Sequence, residues 1–444
     1  MFQTIKDFYF KRKAWVILIT MTTLLFFSGF FEPLWIVSLP ILFLFYLTCD
    51  IGEIFKYSMY FNMFSIIGLF YIVSLIIGVL VIILKYIIDL AKKRRKFFVF
   101  PFVLTTFIAL VFSLINYGYD TIGLEQGALV VVILYVIYFV FVYRDKININ
   151  KCFKHLVYGI AVSLVLGLIV MLFQEHYAYQ MFHFDGTYSR LKLFSYHQNH
   201  LAMHACFAIS YFIYLILNRK YVLWFNVVCL VGCLIVGLLT LSKAFILMMV
   251  IFFLYFALYL VCKYKWKSLK LIVPVLVVLA IFSLLFKNFV FKIFDRFLAY
   301  NTQNSFINRI TTGRSAIWYR YLKEITSSIP KMLFGVGLFG KELISIGCHN
   351  VLLFIIYRMG VVGLIALGLL AYSYYKLSGA KFSFKLRHIL PFATYFILSF
   401  NEMIFSDRFF LYLVFGIMLM SKEYAEKTGV LTLSENEQNK RFLH

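Results

Sequence analysis

The chain has 444 residues, 63% of them hydrophobic, and a mean hydropathy of +0.90. Soluble domains are closer to half apolar, so this composition excludes an ordinary soluble protein. The formal net charge of +24 does not indicate nucleic-acid binding, because the cationic residues are scattered between apolar runs and form no dense basic domain.

The apolar residues recur in runs near the ~20 residues that span a bilayer. This pattern predicts an all-α, polytopic integral membrane protein with a single domain and about twelve spans. The predicted runs are Ala14–Phe31, Tyr60–Leu84, Phe97–Ile115, Gly127–Tyr143, His155–Phe173, Asn199–Leu217, Tyr221–Leu239, Ala244–Cys262, Leu271–Val290, Val351–Tyr372, Ile389–Phe400 and Phe409–Met420.

One further segment, Pro33–Thr48, is apolar but short, and we expect it to be interfacial or re-entrant. The alternative is a thirteenth span, which would place one end of the chain outside.

Lysine and arginine concentrate in short loops, most densely at Lys92–Lys96. Such loops are cytoplasmic by the positive-inside rule, and both termini are then inside as well. Counting spans from the cytoplasmic tail places two longer loops, Gln174–Gln198 and Phe291–Asn350, on the outside.

The longer outer loop contains a candidate anion site. Arg314 follows Thr312-Gly313 and precedes an apolar pattern typical of an amphipathic helix, with Thr312 as the expected N-cap. An arginine at a helix N-terminus opposes the helix dipole unless an anion is shared there, which favours a phosphate or diphosphate. The alternative is a solvated arginine. Arg309 lies five residues upstream.

His349-Asn350 ends this loop at the mouth of the next apolar run. A histidine has a pKa suited to proton transfer near neutrality, so His349 is a candidate general base. The alternative is an interfacial histidine that only makes a hydrogen bond. Upstream, Gly335-Val336-Gly337 predicts a tight turn.

A second polar cluster opens the apolar run that starts at Asn199. His197, Asn199 and His200 lie there, with Arg190 upstream. Lys243 lies in the outer turn between two later runs, where it could contact an anionic lipid head group or extend along the membrane surface. Polar groups at membrane depth are costly, which makes the cluster a candidate site.

No metal or cofactor is expected. The outer segments contain no Asp-X-Asp, and the chain contains no His-Glu-X-X-His or Cys-X-X-Cys. Arginines outnumber carboxylates outside, so a diphosphate would be held by arginine rather than by a metal ion.

The chain resembles the O-antigen polymerase and ligase superfamily. The resemblance rests on Arg190 with His197-Gln198-Asn199-His200, on Leu239–Lys243, and on a series in the large loop. That series is Gly313-Arg314, Trp318, Pro330, Phe334-Gly335-Val336-Gly337, His349-Asn350, Gly360 and Gly363. Gln198 replaces the usual proline of the family, and Lys243 replaces the usual arginine.

The resemblance implies a metal-independent glycosyltransferase of the bacterial plasma membrane, acting at the outer face. Its donor would be an undecaprenyl-diphosphate-linked oligosaccharide, and a flippase and a chain-length regulator of the same pathway would be partners. Polymerisation of repeat units is the leading expectation. The alternatives are a ligase that transfers the glycan to an acceptor and a flippase for the lipid-linked oligosaccharide. The expected catalytic residues are Arg314 and His349; the expected substrate-binding residues are Arg190, His197, Asn199, His200, Lys243, Arg309 and Asn350.

Overall fold

The structure is a computed structural model, and most of the chain is described in it. The described residues are 2–61, 64, 70–94, 97–115, 117–118, 120–173, 182–185, 188–191, 198–218, 224–265, 314–344 and 347–378, with isolated positions at 273, 277, 281, 284, 287–288, 291, 390, 393–394 and 397–398.

Most of the described elements are helices. They are α1 (Phe2–Ser28), α2 (Leu34–Thr48), α3 (Ile51–Phe61), α4 (Phe70–Ala91), α5 (Val99–Leu114), α6 (Thr121–Val142), α7 (Ile149–Phe173), α8 (Gln198–Asn218), α9 (Trp224–Leu239), α10 (Lys243–Tyr264), α11 (Arg314–Ile325), α12 (Ile329–Phe334) and α13 (Val351–Ser378). One antiparallel hairpin, β1 (Phe182–Asp185) with β2 (Tyr188–Leu191), departs from the all-α expectation.

The described part of the chain confirms a helical membrane protein. Five of its helical segments are long and apolar enough to cross a bilayer: Val73–Ala91, Thr121–Val142, Lys151–Val170, Lys243–Cys262 and Val351–Tyr374. The total of twelve spans stays a prediction, and the predicted runs Leu271–Val290, Ile389–Phe400 and Phe409–Met420 fall largely outside the described residues.

Some of the described helices present exposed apolar stripes, as expected for helices that face lipid. On α10, large side chains spaced three or four residues apart are about half exposed: Leu247, Val250, Leu254, Leu258 and Val261. Such spacing follows one face of a helix. A soluble protein seldom exposes so continuous an apolar face, whereas a bilayer solvates it without cost.

The prediction of one continuous run at Tyr60–Leu84 is wrong at its beginning, because Phe64 is not helical. Helix α3 ends at Phe61 and α4 begins at Phe70. Helix α3 starts in a segment of mixed polarity, yet Ile54, Phe55 and Met59 are buried, while Glu53 and Lys56 form an ion pair one turn apart. This short helix packs against both α4 and α7, which bury most of its side chains.

The short segment at Pro33–Thr48 is a helix, α2, that packs against α1 and α4. Its 15 residues extend about 22 Å. This is less than the ~30 Å thickness of a bilayer's apolar core. The interfacial or re-entrant placement stays a prediction.

Two other boundaries differ from the predicted ones. Helix α6 begins at Thr121 rather than Gly127, because the Asp120 carboxylate caps it by accepting the backbone N–H of Gly123 at 2.6 Å. Helix α7 begins at Ile149 rather than His155.

The starts of α6, α8 and α13 lie at one end of the bundle, which we call the site end. Helices α6 and α7 run antiparallel around the turn Tyr143–Asn148. Phe153 of α7 packs edge-to-face against Tyr211 of α8, with ring centroids 4.6 Å apart. Tyr158 of α7 donates to Asn226 of α9 at 2.6 Å. The beginning of α8 and the end of α9 therefore lie opposite the α6–α7 turn.

Candidate active site at one end of the bundle

Arg314 is the first described residue of α11, which covers the helical pattern noted in the sequence. One turn later, Trp318 donates its indole N–H to the carbonyl of Cys348 at 3.0 Å. Four residues of helix rise about 6 Å, so the first turn of α11 lies beside the segment that holds His349. Both Arg314 and His349 are half-buried.

His349 has an unusual backbone conformation, with φ at +50°. Non-glycine residues rarely adopt the left-handed region, and residues held there cluster at functional sites. Its neighbours hold it from both sides. The Asn350 side chain accepts the N–H of Leu353 at 3.0 Å and caps α13, while the Cys348 thiol donates to the carbonyl of Asn350 at 3.2 Å.

Cys348 is not a candidate nucleophile despite its position. It is fully buried, and burial raises the pKa of its thiol. The thiolate, which is the reactive form, is therefore scarce near neutral pH.

Beneath this segment lies a buried polar cluster that the sequence analysis did not identify. Arg358 of α13 is fully buried and forms an ion pair with Glu342. Its guanidinium also donates to the carbonyl of Gly340 and to the amide oxygen of Gln126 in α6, the latter at 2.9 Å. The second carboxylate oxygen of Glu342 accepts the hydroxyl of Tyr321 at 2.6 Å.

Arg358 was not among the predicted site residues, because it lies inside the predicted apolar run Val351–Tyr372. Its signal was nevertheless present, since a single arginine within a membrane-length run is costly without a partner and is a candidate functional residue by default.

Burial raises the pKa of Glu342, and the charge of Arg358 and the Tyr321 hydroxyl partly offset this effect. Burial also raises the pKa of Tyr321, which keeps its hydroxyl protonated and able to donate. The cluster is thus a hydrogen-bonded set in which each carboxylate oxygen has a donor.

The same loop is fastened to the start of α6. Asp120 uses one carboxylate oxygen to cap α6 and the other to accept the backbone N–H of Glu342 at 2.9 Å. The N–H of Lys341 donates to the carbonyl of Gly118 at 2.9 Å. The loop that precedes His349 is therefore held by backbone as well as side-chain bonds.

The predicted turn at Gly335-Val336-Gly337 makes backbone hydrogen bonds to α13, which the two glycines alone did not predict. Helix α13 is broken at Gly360, where φ is +61° and ψ is −167°. The carbonyls of Tyr357 and Arg358, which precede the break, accept the N–H groups of Val336 and Gly337 at 2.8 and 2.9 Å. A Cβ at Gly360 would meet the backbone of Leu333, so only glycine fits there.

The polar cluster at the start of α8 meets the turn between α9 and α10. Ser242 donates its hydroxyl to the side-chain oxygen of Asn199 at 3.4 Å. Lys243 is the first residue of α10, and Leu241 before it has φ at +48°. Asn199, His200 and Lys243 are half-buried. Two segments that the sequence analysis singled out separately are therefore neighbours at the site end.

The remaining predicted residues are placed only in part. Arg190 lies on β2, where its backbone pairs with His183. Arg309, His197 and Thr312 lie outside the described residues.

In the part of the chain that the structure describes, no group of three or more histidine, cysteine, aspartate or glutamate side chains could hold a metal ion. Comparison with models of known protein families, with characterised proteins and with solved structures finds no match to this chain.

Proposed function

We propose that this protein is a membrane glycosyltransferase that polymerises undecaprenyl-diphosphate-linked oligosaccharide repeat units at the outer face of the bacterial plasma membrane. The observation that carries the proposal is the bond from Trp318 to the carbonyl of Cys348, because it brings the first turn of α11, with Arg314, beside His349. An arginine close to a histidine suits transfer from a diphosphate to a hydroxyl.

In this reaction the acceptor hydroxyl oxygen attacks the anomeric carbon of the donor glycan. A new glycosidic bond forms, and the bond between that carbon and the diphosphate oxygen breaks. Arg314 stabilises the negative charge that develops on the undecaprenyl diphosphate leaving group. His349 accepts the proton of the hydroxyl.

The polar cluster where α8 meets the turn before α10 contains proposed substrate-binding residues. Asn199, His200 and Lys243 lie together at the same end of the bundle as the His349 segment. Lys243 offers a point charge to a diphosphate, and the amide and imidazole groups offer hydrogen bonds to sugar hydroxyls. Arg190, His197, Arg309 and Asn350 complete the proposed binding set.

The test is the profile of lipid-linked glycans in cells that lack the protein. We expect single repeat units to accumulate on the lipid, with full-length chains restored by the wild-type protein. Full-length chains left on the lipid would instead identify a ligase, and loss of all outer-face glycan would identify a flippase. An unchanged profile would refute all three functions.

A further inference from the structure

We propose that Arg358 is a positioning residue: it fixes the short helical segment that holds His349 at its beginning, and through that segment it sets the position of the imidazole. The consequence for catalysis rests on the proposed function. The structural part of the proposal stands on the contacts of Arg358 alone.

Helix α13 is broken near its beginning. Gly360 interrupts the helix, so the part before it, Val351–Met359, is a separate segment of nine residues. A continuous helix would transmit the orientation of its membrane-embedded part to its first residue. The break removes that constraint, because the dihedral angles at Gly360 no longer continue the helix.

Both ends of this segment are held by contacts with other parts of the fold. At its beginning, Asn350 caps it and Trp318 bonds to the carbonyl of Cys348. At its end, the Tyr357 and Arg358 carbonyls accept N–H groups from the Gly335–Gly337 turn.

The side chain of Arg358 joins three parts of the fold. It contacts Gln126 on α6, Gly340 in the loop and Glu342, and Glu342 in turn accepts from Tyr321 on α11. One guanidinium thus ties the His349 segment to α6, to its own preceding loop and, through Glu342, to the helix that contains Arg314. A lysine could supply the charge but not the planar set of donors.

The experiment uses the full-length protein in detergent micelles and measures hydrogen exchange of backbone amides by mass spectrometry. Arg358→Lys should speed exchange in peptides covering Val336–Glu342 and Cys348–Phe354. The increase should be roughly tenfold or more, the change expected when a buried hydrogen bond to a charged group is lost. Exchange in α6 and α7 should change by less than about twofold if the effect is local.

Gln126→Ala gives a second, milder test, because it removes one neutral acceptor and leaves the ion pair in place. We expect the same two peptides to exchange faster, by a smaller factor. The matched control is Lys331→Gln, which removes the partly exposed ion pair between Lys331 and Glu324, at 2.5 Å in the same region, without touching Arg358. Its exchange should match that of the wild type.

The catalytic part is tested with lipid-linked repeat units extracted from cells that lack the protein. For Arg358→Lys we expect kcat to fall by about 10²-fold, the cost of misplacing a catalytic group by about 1 Å. KM should stay within about twofold, because the proposed binding residues are untouched. A merely structural role would instead lower the amount of folded protein and leave kcat per folded molecule unchanged.

Exchange that is unchanged in both variants, or that rises equally in every helix, would overturn the assignment. Faster local exchange with an unchanged kcat would overturn the positioning of His349. If cells lacking the protein make normal glycans, the proposed function fails, and the exchange measurement still decides whether Arg358 holds the segment.

Discussion

Replacing Tyr321 by phenylalanine should destabilise the folded protein by removing a single hydrogen bond. The Tyr321 hydroxyl donates to a carboxylate oxygen of Glu342 at 2.6 Å, and both side chains are buried. Phenylalanine keeps the ring, so the edge-to-face contact with Tyr357, at a centroid distance of 4.8 Å, remains. The change therefore isolates the hydroxyl from the packing of the ring.

The expected loss of stability follows from the charge of the acceptor, the Glu342 carboxylate. A hydrogen bond to a charged group contributes about 1.5–3 kcal/mol. Water cannot readily replace the lost donor, because Glu342 is only 5% exposed. We therefore expect the free energy of unfolding to fall by about 1.5–3 kcal/mol, which is roughly a 10- to 150-fold change in the equilibrium constant.

The assay is equilibrium unfolding of the purified protein in mixed micelles with increasing dodecyl sulfate. Tyr319→Phe is the matched control, because Tyr319 lies on the same helix and the residue is 68% exposed. Its effect should stay within about 0.5 kcal/mol, as for most surface changes. If Tyr321→Phe is no more destabilising than this control, the hydroxyl does not stabilise Glu342 and the reasoning about the buried cluster is refuted.

Four further predictions concern the site and its surroundings. His349→Ala should lower the rate of chain formation by about 10²–10⁴-fold if the imidazole is the general base; near-normal glycan chains at an unchanged protein level would contradict this role. Arg314→Lys should fail largely as Arg314→Ala does, because an ammonium lacks the planar fork that binds two phosphate oxygens; glycan chain length in complemented cells measures this, and full activity of the lysine variant would argue against a bidentate contact. Activity should survive EDTA, and a loss that Mg²⁺ restores would overturn the arginine-held diphosphate. Burial raises the pKa of Glu342 above its ordinary 4.5, so the folded state binds this proton more tightly than the unfolded state. The carboxyl's contribution to stability should then fall as the pH rises from about 4.5 through the folded-state pKa, and the unfolding free energy of Glu342→Gln should lack this slope; equal slopes in the two proteins would exclude the shift.

Much of the helical framework could be predicted from the sequence. The runs at Phe97–Ile115, Asn199–Leu217 and Ala244–Cys262 correspond closely to α5, α8 and α10. These segments are apolar over membrane length, and a bilayer leaves a chain of that composition little choice but a helix whose backbone bonds are satisfied internally. The helical pattern that follows Arg314 likewise corresponds to α11.

The helix boundaries that failed depend on contacts made far along the chain. Helix α3 was not predicted because its composition is mixed and its 11 residues are fewer than a membrane span needs, yet α4 and α7 bury most of it. The early start of α6 depends on Asp120, whose second carboxylate oxygen is used by Glu342, 222 residues later. No local pattern contains that information.

The candidate site likewise has features that local sequence predicts and features that depend on tertiary contacts. The sequence by itself determined which residue types lie near the ends of apolar runs, and so indicated Arg314, His349 and Asn199 as candidates. Only the tertiary structure decided that Trp318 brings the first two segments together and that Ser242 lies against Asn199. It also decided that Arg358, hidden in an apolar run, pairs with Glu342. Periodicity and composition act over one or two helical turns, whereas a buried charge is satisfied by whichever partner the folded chain places beside it, and that partner is chosen only when the helices pack.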